Sequence, residues 1–452
     1  MSKNSFSASF ASGFAALAAR EAKTPKPGSK TGGNRLAGTT VLALGAESAG
    51  NFSVFHNGKI VLSRDFGDLL DDKNFVKFKK AVLNFLKKNK IKPDVILTDL
   101  HPEYKTTIWG EKLSEKFSAE RVQVQHHHAH IFSAIGEHQE TKSPIGDLVS
   151  FAGIALDGTG YGLDGKIWGG EVFQLSINND QLTINRIGHL ENQTMIGGDL
   201  AVKEPARMLM SILFKIKTVK QANTPILQSM GVFVDEEKRV ANKQNENTRL
   251  SESMRAFEDK KIFEDKKIKE YVYGFVKRYY SRNQFELLYN QLRQNFNCAE
   301  TSSAGRILDA VSLLLGFCGN ERNYKHEPID LLEKNSSLPY KISPKLKTQN
   351  SKLILQTTPL FEYLIKNLHK DKKRLAATAQ LYIARGLRKI AASREPRAAS
   401  IYLSGGIANN KIISKYLESK GAIINKKIPR GDAGISFGQI IYYGTAAERR
   451  RE

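Results

Sequence analysis

Short apolar runs open the recognisable pattern of the chain. Val41 to Gly45, Asn51 to His56 and Lys59 to Ser63 read as a strand meander with a turn at Asn57-Gly58. From Phe75 to Lys88 the spacing changes: Phe75, Val76, Phe78, Val82, Phe85 and Leu86 recur with the period of a helix. Asp94 to Thr98 then predicts a short strand of the buried type. The second half repeats this order. Ile154-Ala155-Leu156 runs as a strand into Asp157-Gly158-Thr159-Gly160-Tyr161-Gly162, and a tight turn at Asp164-Gly165 returns Lys166 to Phe173 as a second strand. Long helical stretches follow. Ser400 to Leu403 then predicts a strand entering Ser404-Gly405-Gly406-Ile407-Ala408-Asn409-Asn410 and a helix, and Phe437 to Ile441 belongs to a helical tail.

At 452 residues, 40% hydrophobic and 25% charged, the chain has ordinary globular usage and room for two or three domains. No run approaches the roughly 18 to 20 apolar residues of a membrane span. With only Cys298 and Cys318 there is no disulfide framework and no cysteine zinc finger, which fits a reducing cytoplasm. Cys318, at the end of the apolar helical stretch from Leu313, is expected to be a small core residue. The net charge of +23 is scattered over Lys23 to Arg35, Lys87-Lys88, Lys260 to Lys277 and Arg449 to Arg451. No aromatic residues interleave with it as in a nucleic-acid groove, so neither nucleic acid nor membrane is an expected partner. Residues 1–37 carry one acid, Glu21, and read as a flexible basic tail, a composition that a transit peptide shares. Residues 215–297 read as a Lys-rich helical insertion, in which Phe263 to Lys267 echoes Phe257 to Lys261.

Candidate chemistry concentrates in Gln125-His126-His127-His128-Ala129-His130-Ile131. Imidazoles cost helix propensity and pack poorly, so their density calls for a reason. In a helix His126 and His130 stand at i and i+4, about 5 to 6 Å apart at Cβ, a spacing that lets both reach one metal ion while His127 and His128 point elsewhere. A helix start with buried or surface histidines has the same pattern. Asp157 enters a glycine loop whose backbone N–H groups can face a phosphate, although an Asp-Gly hairpin needs no ligand. Asp432, in Pro429-Arg430-Gly431-Asp432-Ala433-Gly434, has the position of a helix N-cap.

The stretches Thr98 to Tyr104, Val124 to Ile131, Ala155 to Phe173, Gly197 to Asp199, Lys203 to Met208, Thr301 to Arg306, Ser404 to Gly406 and Asp432 to Gln439 resemble, in order and wording, motifs of the C-terminal module of the HypF family, the carbamoyltransferases of hydrogenase maturation. The resemblance implies an α/β fold of two related actin-like ATPase (ASKHA-type) domains closing over a nucleotide and metal cleft. It places a first domain at 38–148, a second at 149–434 and a C-terminal helix at 435–452 that packs back on the first. It also implies one transition metal, iron or zinc, on His126, His130, Asp157 and Asp432, with His126, His130, Asp157 and Arg306 as catalytic residues. Gly158, Thr159, Gly160, Gly305, Asp309, Gly405, Gly406 and Asn410 become candidates for holding an adenine nucleotide, whether carbamoyl-adenylate, ATP or AMP. For Arg306 and Asp309 an i,i+3 surface pair is the alternative.

The expected activity is transfer of a carbamoyl group from carbamoyl-adenylate to the C-terminal cysteine of a HypE-type protein. Full-length family members make the adenylate with acylphosphatase-like, zinc-finger and YrdC-like domains that precede this module, so a separate YrdC-type partner is expected here. Two departures stand out. Ala49 occupies the place of a lysine in the first phosphate loop, and Tyr324-Lys325-His326-Glu327-Pro328 replaces a Tyr-Glu-Gly-Gln-Ala stretch. An O-carbamoyltransferase of small molecules, a tRNA threonylcarbamoyl-transfer relative and a non-catalytic metal- and nucleotide-binding scaffold remain open alternatives.

Overall fold

The computed structural model describes residues 36, 38–142, 150–178, 181–222, 265–393 and 400–446. The basic tail, much of the Lys-rich stretch with its internal echo, and the end of the chain beyond 446 lie outside these residues.

Two sheets carry the architecture, and they share one plan. In the first, β1 (Val41–Ala43), β2 (Ser53–His56), β3 (Lys59–Leu62), β4 (Val95–Asp99) and β5 (Glu120–Val124) lie in the order β3-β2-β1-β4-β5. The meander is antiparallel, and β4 and β5 continue the sheet in parallel with β1. The second contains β6 (Ser150–Tyr161), β7 (Ile167–Asn178), β8 (Gln181–Leu190), β9 (Gln193–Ile196), β10 (Cys298–Thr301), β11 (Leu346–Gln349), β12 (Lys352–Leu355), β13 (Ile401–Ser404) and β14 (Ala422–Ile424). Its strands β8-β7-β6-β13-β14 repeat the first order with the same senses. A three-strand meander followed by parallel strands, present twice, is the actin-like ATPase arrangement that the motifs implied. The boundaries of the first meander, of β4 and of β13 move by only one or two residues from the expected ones, whereas β6 starts four residues before Ile154 and β7 runs five residues past Phe173.

Helices fill the remaining layers. The first, α1 (Asp72–Lys88), starts three residues before Phe75 because Asp71 caps it, accepting from the backbone N–H groups of Lys73 and Asn74. Next come α2 (Lys105–Phe117), α3 (His126–Lys142), α4 (Pro205–Ala222) and α5 (Ala304–Leu315). Gly316, in the left-handed region at φ +80°, ends α5. Cys318 therefore lies beyond the helix and is half-buried against the core edge rather than inside it. The chain closes with α6 (Lys372–Ala392), α7 (Lys411–Glu418) and α8 (Ile435–Thr445).

The two terminal helices are exchanged between the sheets. Helix α3 follows the first sheet in sequence yet packs on β6 and β13 of the second, and α8 follows the second sheet yet packs on β1, β2 and β4 of the first. They also pack on each other. Glycine makes this approach possible: a Cβ on Gly438 would lie 1.9 Å from the carbonyl oxygen of Ala129, and one on Gly136 would lie 2.6 Å from Ile441 Cγ1. Backbone cannot yield as a side-chain tip can. Gly438→Ala is expected to destabilise the protein by ~2–4 kcal/mol through overpacking, read as a lower urea midpoint, whereas Gly58→Ala, with open space around it but a left-handed backbone at φ +74°, should cost only the conformational strain of about 1–2 kcal/mol.

Candidate metal centre

Helix α3 begins at His126, directly after β5. The side chain of Gln125 covers its first turn, with Oε1 accepting from His128 N at 3.0 Å. His126 and His130, one turn apart, present their Nε2 atoms to the same space. Asp157 enters from β6. Its ladder with β7 is regular up to Leu156 opposite Gly170 and resumes at Gly160 opposite Trp168, so Asp157, Gly158 and Thr159 share one partner position and bulge out of the sheet. Asp432 comes from the turn before α8. It makes no capping bond to that helix, contrary to the N-cap reading; its carboxylate instead faces the histidines and accepts from Ser48 Oγ.

His126 Nε2 lies 3.3 Å from Asp157 Oδ2 and 3.7 Å from Asp432 Oδ1, while His130 Nε2 lies 3.8 and 3.5 Å from the same two oxygens. One donor atom from each of the four residues falls within 4.8 Å of all the others. A tetrahedral ion with bonds of about 2.0–2.1 Å separates its ligand atoms by about 3.4 Å. Both ring nitrogens of His130 are buried without a hydrogen-bond partner, a costly arrangement for an imidazole unless a ligand completes it. Two imidazoles and two carboxylates suit a divalent transition metal. The residues fit such an ion.

A fifth residue, Asp99 at the end of β4, completes the arrangement. Its Oδ2 lies 2.7 Å from His126 Nδ1 and its Oδ1 accepts from His101 N at 3.0 Å. A carboxylate on Nδ1 directs the lone pair of Nε2 to the centre. Asp99 lies inside the Thr98 to Tyr104 motif, but nothing in the sequence distinguishes it from a strand-end residue. Burial opposes the charged form of His126, yet Asp99, Asp157 and Asp432 outweigh it and hold the imidazole pKa well above the ordinary histidine range. For Asp157 burial likewise opposes ionisation, and contacts to His126 and His130 prevail, keeping its carboxyl well below the usual range. The other two histidines point away. His127 contacts Gln125, and His128 lies edge-on to Phe173 with burial lowering its pKa to about 4.

The glycine turns surround this centre. Gly406 N donates to Asp157 Oδ1 at 3.2 Å, and a Cβ on Gly405, at φ +105°, would strike the carbonyl of Leu156 at 2.1 Å. Gly305 lies across from Gly158, where a Cβ would come within 2.9 Å of its Cα. Arg306 and Asp309 are buried, not a surface pair: Asp309 Oδ2 takes Arg306 Nε at 2.8 Å and Nη2 at 2.7 Å together with Arg322 Nη2. The Asp309 carboxylate thus holds two guanidiniums, of which that of Arg306 lies beside Gly158. Asn410 is committed elsewhere, its Oδ1 capping α7 and its Nδ2 donating to Gln380 Oε1 at 2.7 Å. Thr159 is half-buried in the bulge. Glu204 pairs with Arg207 and accepts from Tyr280, a packing network apart from the centre.

Two outcomes follow from this electrostatics. Because the metal must displace the proton from His126, affinity for a divalent ion is expected to fall as pH drops through the neutral range, and calorimetry should register proton release on binding. Asp99→Asn should weaken that affinity about 10–100-fold at neutral pH while the protein stays folded. The second concerns acid stability. His128 is neutral in the fold down to about pH 4 but takes a proton near pH 6.5 when unfolded, so its contribution is full above pH 6.5 and is lost as pH falls toward 4. His128→Phe should therefore flatten the decline of the urea midpoint between pH 6.5 and 4, a difference of roughly 3 kcal/mol at the acid end.

Comparison with known proteins places this geometry in a family. The HypF Kae1-like domain matches residues 37–137, and the carbamoyltransferase Kae1-like domain, second subdomain, matches residues 153–258 and 260–439. A Methanocaldococcus jannaschii protein named "Probable carbamoyltransferase HypF" is 35% identical over 421 residues, covering 89% of this chain and 46% of its own length. Rhodobacter capsulatus carbamoyltransferase HypF is 24% identical over 408 residues, with the same two coverages of 89% and 46%. The chain thus spans about half the length of these curated relatives. Among solved structures, T. kodakarensis HypF aligns with a TM-score of 0.69 at 28% identity over 90% of this chain and 48% of that one. Full-length HypF in its phosphate- and nucleotide-bound form has the same fold here, with a TM-score of 0.69 at 22% identity over 90% of this chain and 55% of that one. With two consecutive family domains matched across most of its length, the chain belongs to the HypF carbamoyltransferase family.

Proposed function

We propose that this chain is a cytoplasmic carbamoyltransferase module that moves a carbamoyl group from carbamoyl-adenylate to a cysteine thiol, the acceptor being the C-terminus of a HypE-type protein. The observation that carries the reading is the convergence of His126, His130, Asp157 and Asp432 beside two glycine turns. Family membership supplies the chemistry. Iron or zinc held by these four residues would act as a Lewis acid toward phosphate oxygens.

The chain's own residues account for the rest. The Gly158 to Gly160 bulge and the Gly405-Gly406 turn, tied together by the bond from Gly406 N to Asp157 Oδ1, lie beside the metal ligands, and this is where the adenylate phosphate would sit. Arg306, fixed by Asp309, offers a fixed cation next to Gly158, suited to charge that grows on the departing phosphate. In the transfer, the acceptor thiol gives up its proton to solvent, its sulfur bonds to the carbamoyl carbon, and the carbon–oxygen bond to the phosphate breaks, its electron pair leaving with the phosphate oxygen of AMP. Asp99 acts one step removed, by fixing the tautomer of His126.

A scaffold reading keeps one specific observation. Ala49, half-buried, directly follows Ser48, whose hydroxyl donates to Asp432, so the loop that touches the centre carries no lysine at this position. The two readings part in one assay. Supplied with ATP, carbamoyl phosphate and a YrdC-type protein, the chain is expected to place a carbamoyl adduct on the cysteine of a HypE-type C-terminal peptide, scored by mass spectrometry; with carbamoyl phosphate alone it should place none. Ala49→Lys should raise the rate, on the order of a hundredfold if a full charged contact to the anion is gained. No adduct with either form, while a full-length family member works in parallel, would leave the scaffold reading standing.

A further inference from the structure

The second half of α6 places Arg385, Arg388 and Lys389 on one face, at the i, i+3 and i+4 positions, with no acidic residue one turn to either side. Like charges so spaced repel. Together with Ile342, Ser343 and Tyr416 of α7 they line a cavity of about 340 Å³ that no carboxylate lines. Arg385 stands 5.9 Å from the Tyr416 ring, which helps to fix its direction. Arg388 Nε is buried and has no hydrogen-bond partner, and none of the three cations makes an ion pair among the described residues. The carbonyl end of α6 supplies only about half an elementary negative charge against them. A second cavity of about 250 Å³ shares Ile342 and Ser343 and adds Lys345 and Lys366 together with one carboxylate, Glu362, so the excess of positive charge is confined to the first.

Arg385 and Arg388 are half-buried and Lys389 is exposed, so three like charges share one open basin with a buried, unpartnered Nε among them, and an anion bound there would relieve their repulsion and complete that donor. We propose that this basin binds the phosphate group of a small phosphorylated ligand, at a site separate from the metal centre. None of its lining residues is a metal ligand or belongs to the glycine turns. The shared chemistry is a phosphate dianion held by two guanidiniums and an ammonium, and its source is either a free oxyanion or a nucleotide.

Calorimetry on the full chain at low salt tests this, with inorganic pyrophosphate and AMP as probes and Gly405→Val as background to block the cleft. Pyrophosphate is expected to bind with an affinity that falls as salt rises, about tenfold more weakly in Arg388→Ala and further still in the Arg385→Ala, Arg388→Ala double variant. Lys389→Ala, on an exposed residue, should weaken it without changing the melting temperature, which keeps the test open if the double variant does not fold. AMP binding more tightly than pyrophosphate at this site identifies a nucleotide as the source; pyrophosphate binding alone identifies a free oxyanion. Affinity unchanged in Lys389→Ala and the arginine variants, or pyrophosphate binding abolished by Gly405→Val alone, overturns the proposal.

Discussion

The close packing of α3 against α8 is the constraint on which the centre depends. Each helix follows one sheet and lies on the other, so the pair couples both halves of the protein through a contact that leaves no space for a side chain at Gly438. His126 and His130 lie at the start of α3, and Asp432 lies one short turn before α8. The distance between imidazoles and carboxylate is therefore set by helix-to-helix approach. A larger residue at Gly438 would part the ligands as it parted the helices.

A second tie acts at the far end of α3. The carboxylate of Glu137 accepts from the backbone N–H groups of Lys426, Lys427 and Ile428 at 2.7 to 3.0 Å, fixing the segment that leads to Asp432. Arg430 then donates to the carbonyl oxygens of Asn425 and Ala408, and its own carbonyl accepts from Gly405 N. One rigid helix thus carries two imidazoles at its start and, about three turns on, an anion that fixes the turn bearing a third ligand. The fourth, Asp157, depends on the bulge in β6, which Ser303 braces by donating to the Gly158 carbonyl. Buried charge at this centre is costly, and each charged group has a hydrogen-bonded or ionic counterpart that offsets the cost.

The motifs alone placed the chain in its family, because strand-then-glycine and His-x-x-x-His wordings in a fixed order are local features of sequence. The first meander, the hairpin of β6 and β7 and the helical period from Phe75 to Lys88 were legible for the same reason: alternation and 3.6-residue spacing are properties of neighbours along the chain, while β8, the third strand of the second meander, was not. Local too was the match of His126 and His130, since one helical turn brings them together wherever the helix lies. Ambiguity began where distance in sequence began. An aspartate in a glycine turn before a helix has the signature of a cap, and only the neighbouring β1–β2 loop, through Ser48, and the two imidazoles make Asp432 face the centre instead.

The roles of Asp99, Glu137 and Arg322 were not legible in the sequence for that physical reason, although Asp99 lies within a recognised motif. Their partners are 27, about 290 and 13 residues away, and a carboxylate at a strand end or on a helix carries no mark of what it will meet. The same holds for Asn410, whose amide the fold commits to Gln380 and a helix end, and for the unpaired cations of α6. Residue order determined the family, the first meander, the β6–β7 hairpin and, through the family motifs, the four candidate ligands. Tertiary structure decided which buried charges are compensated, because compensation depends on distance in space, and the exchange of α3 and α8 between the sheets is what sets those distances.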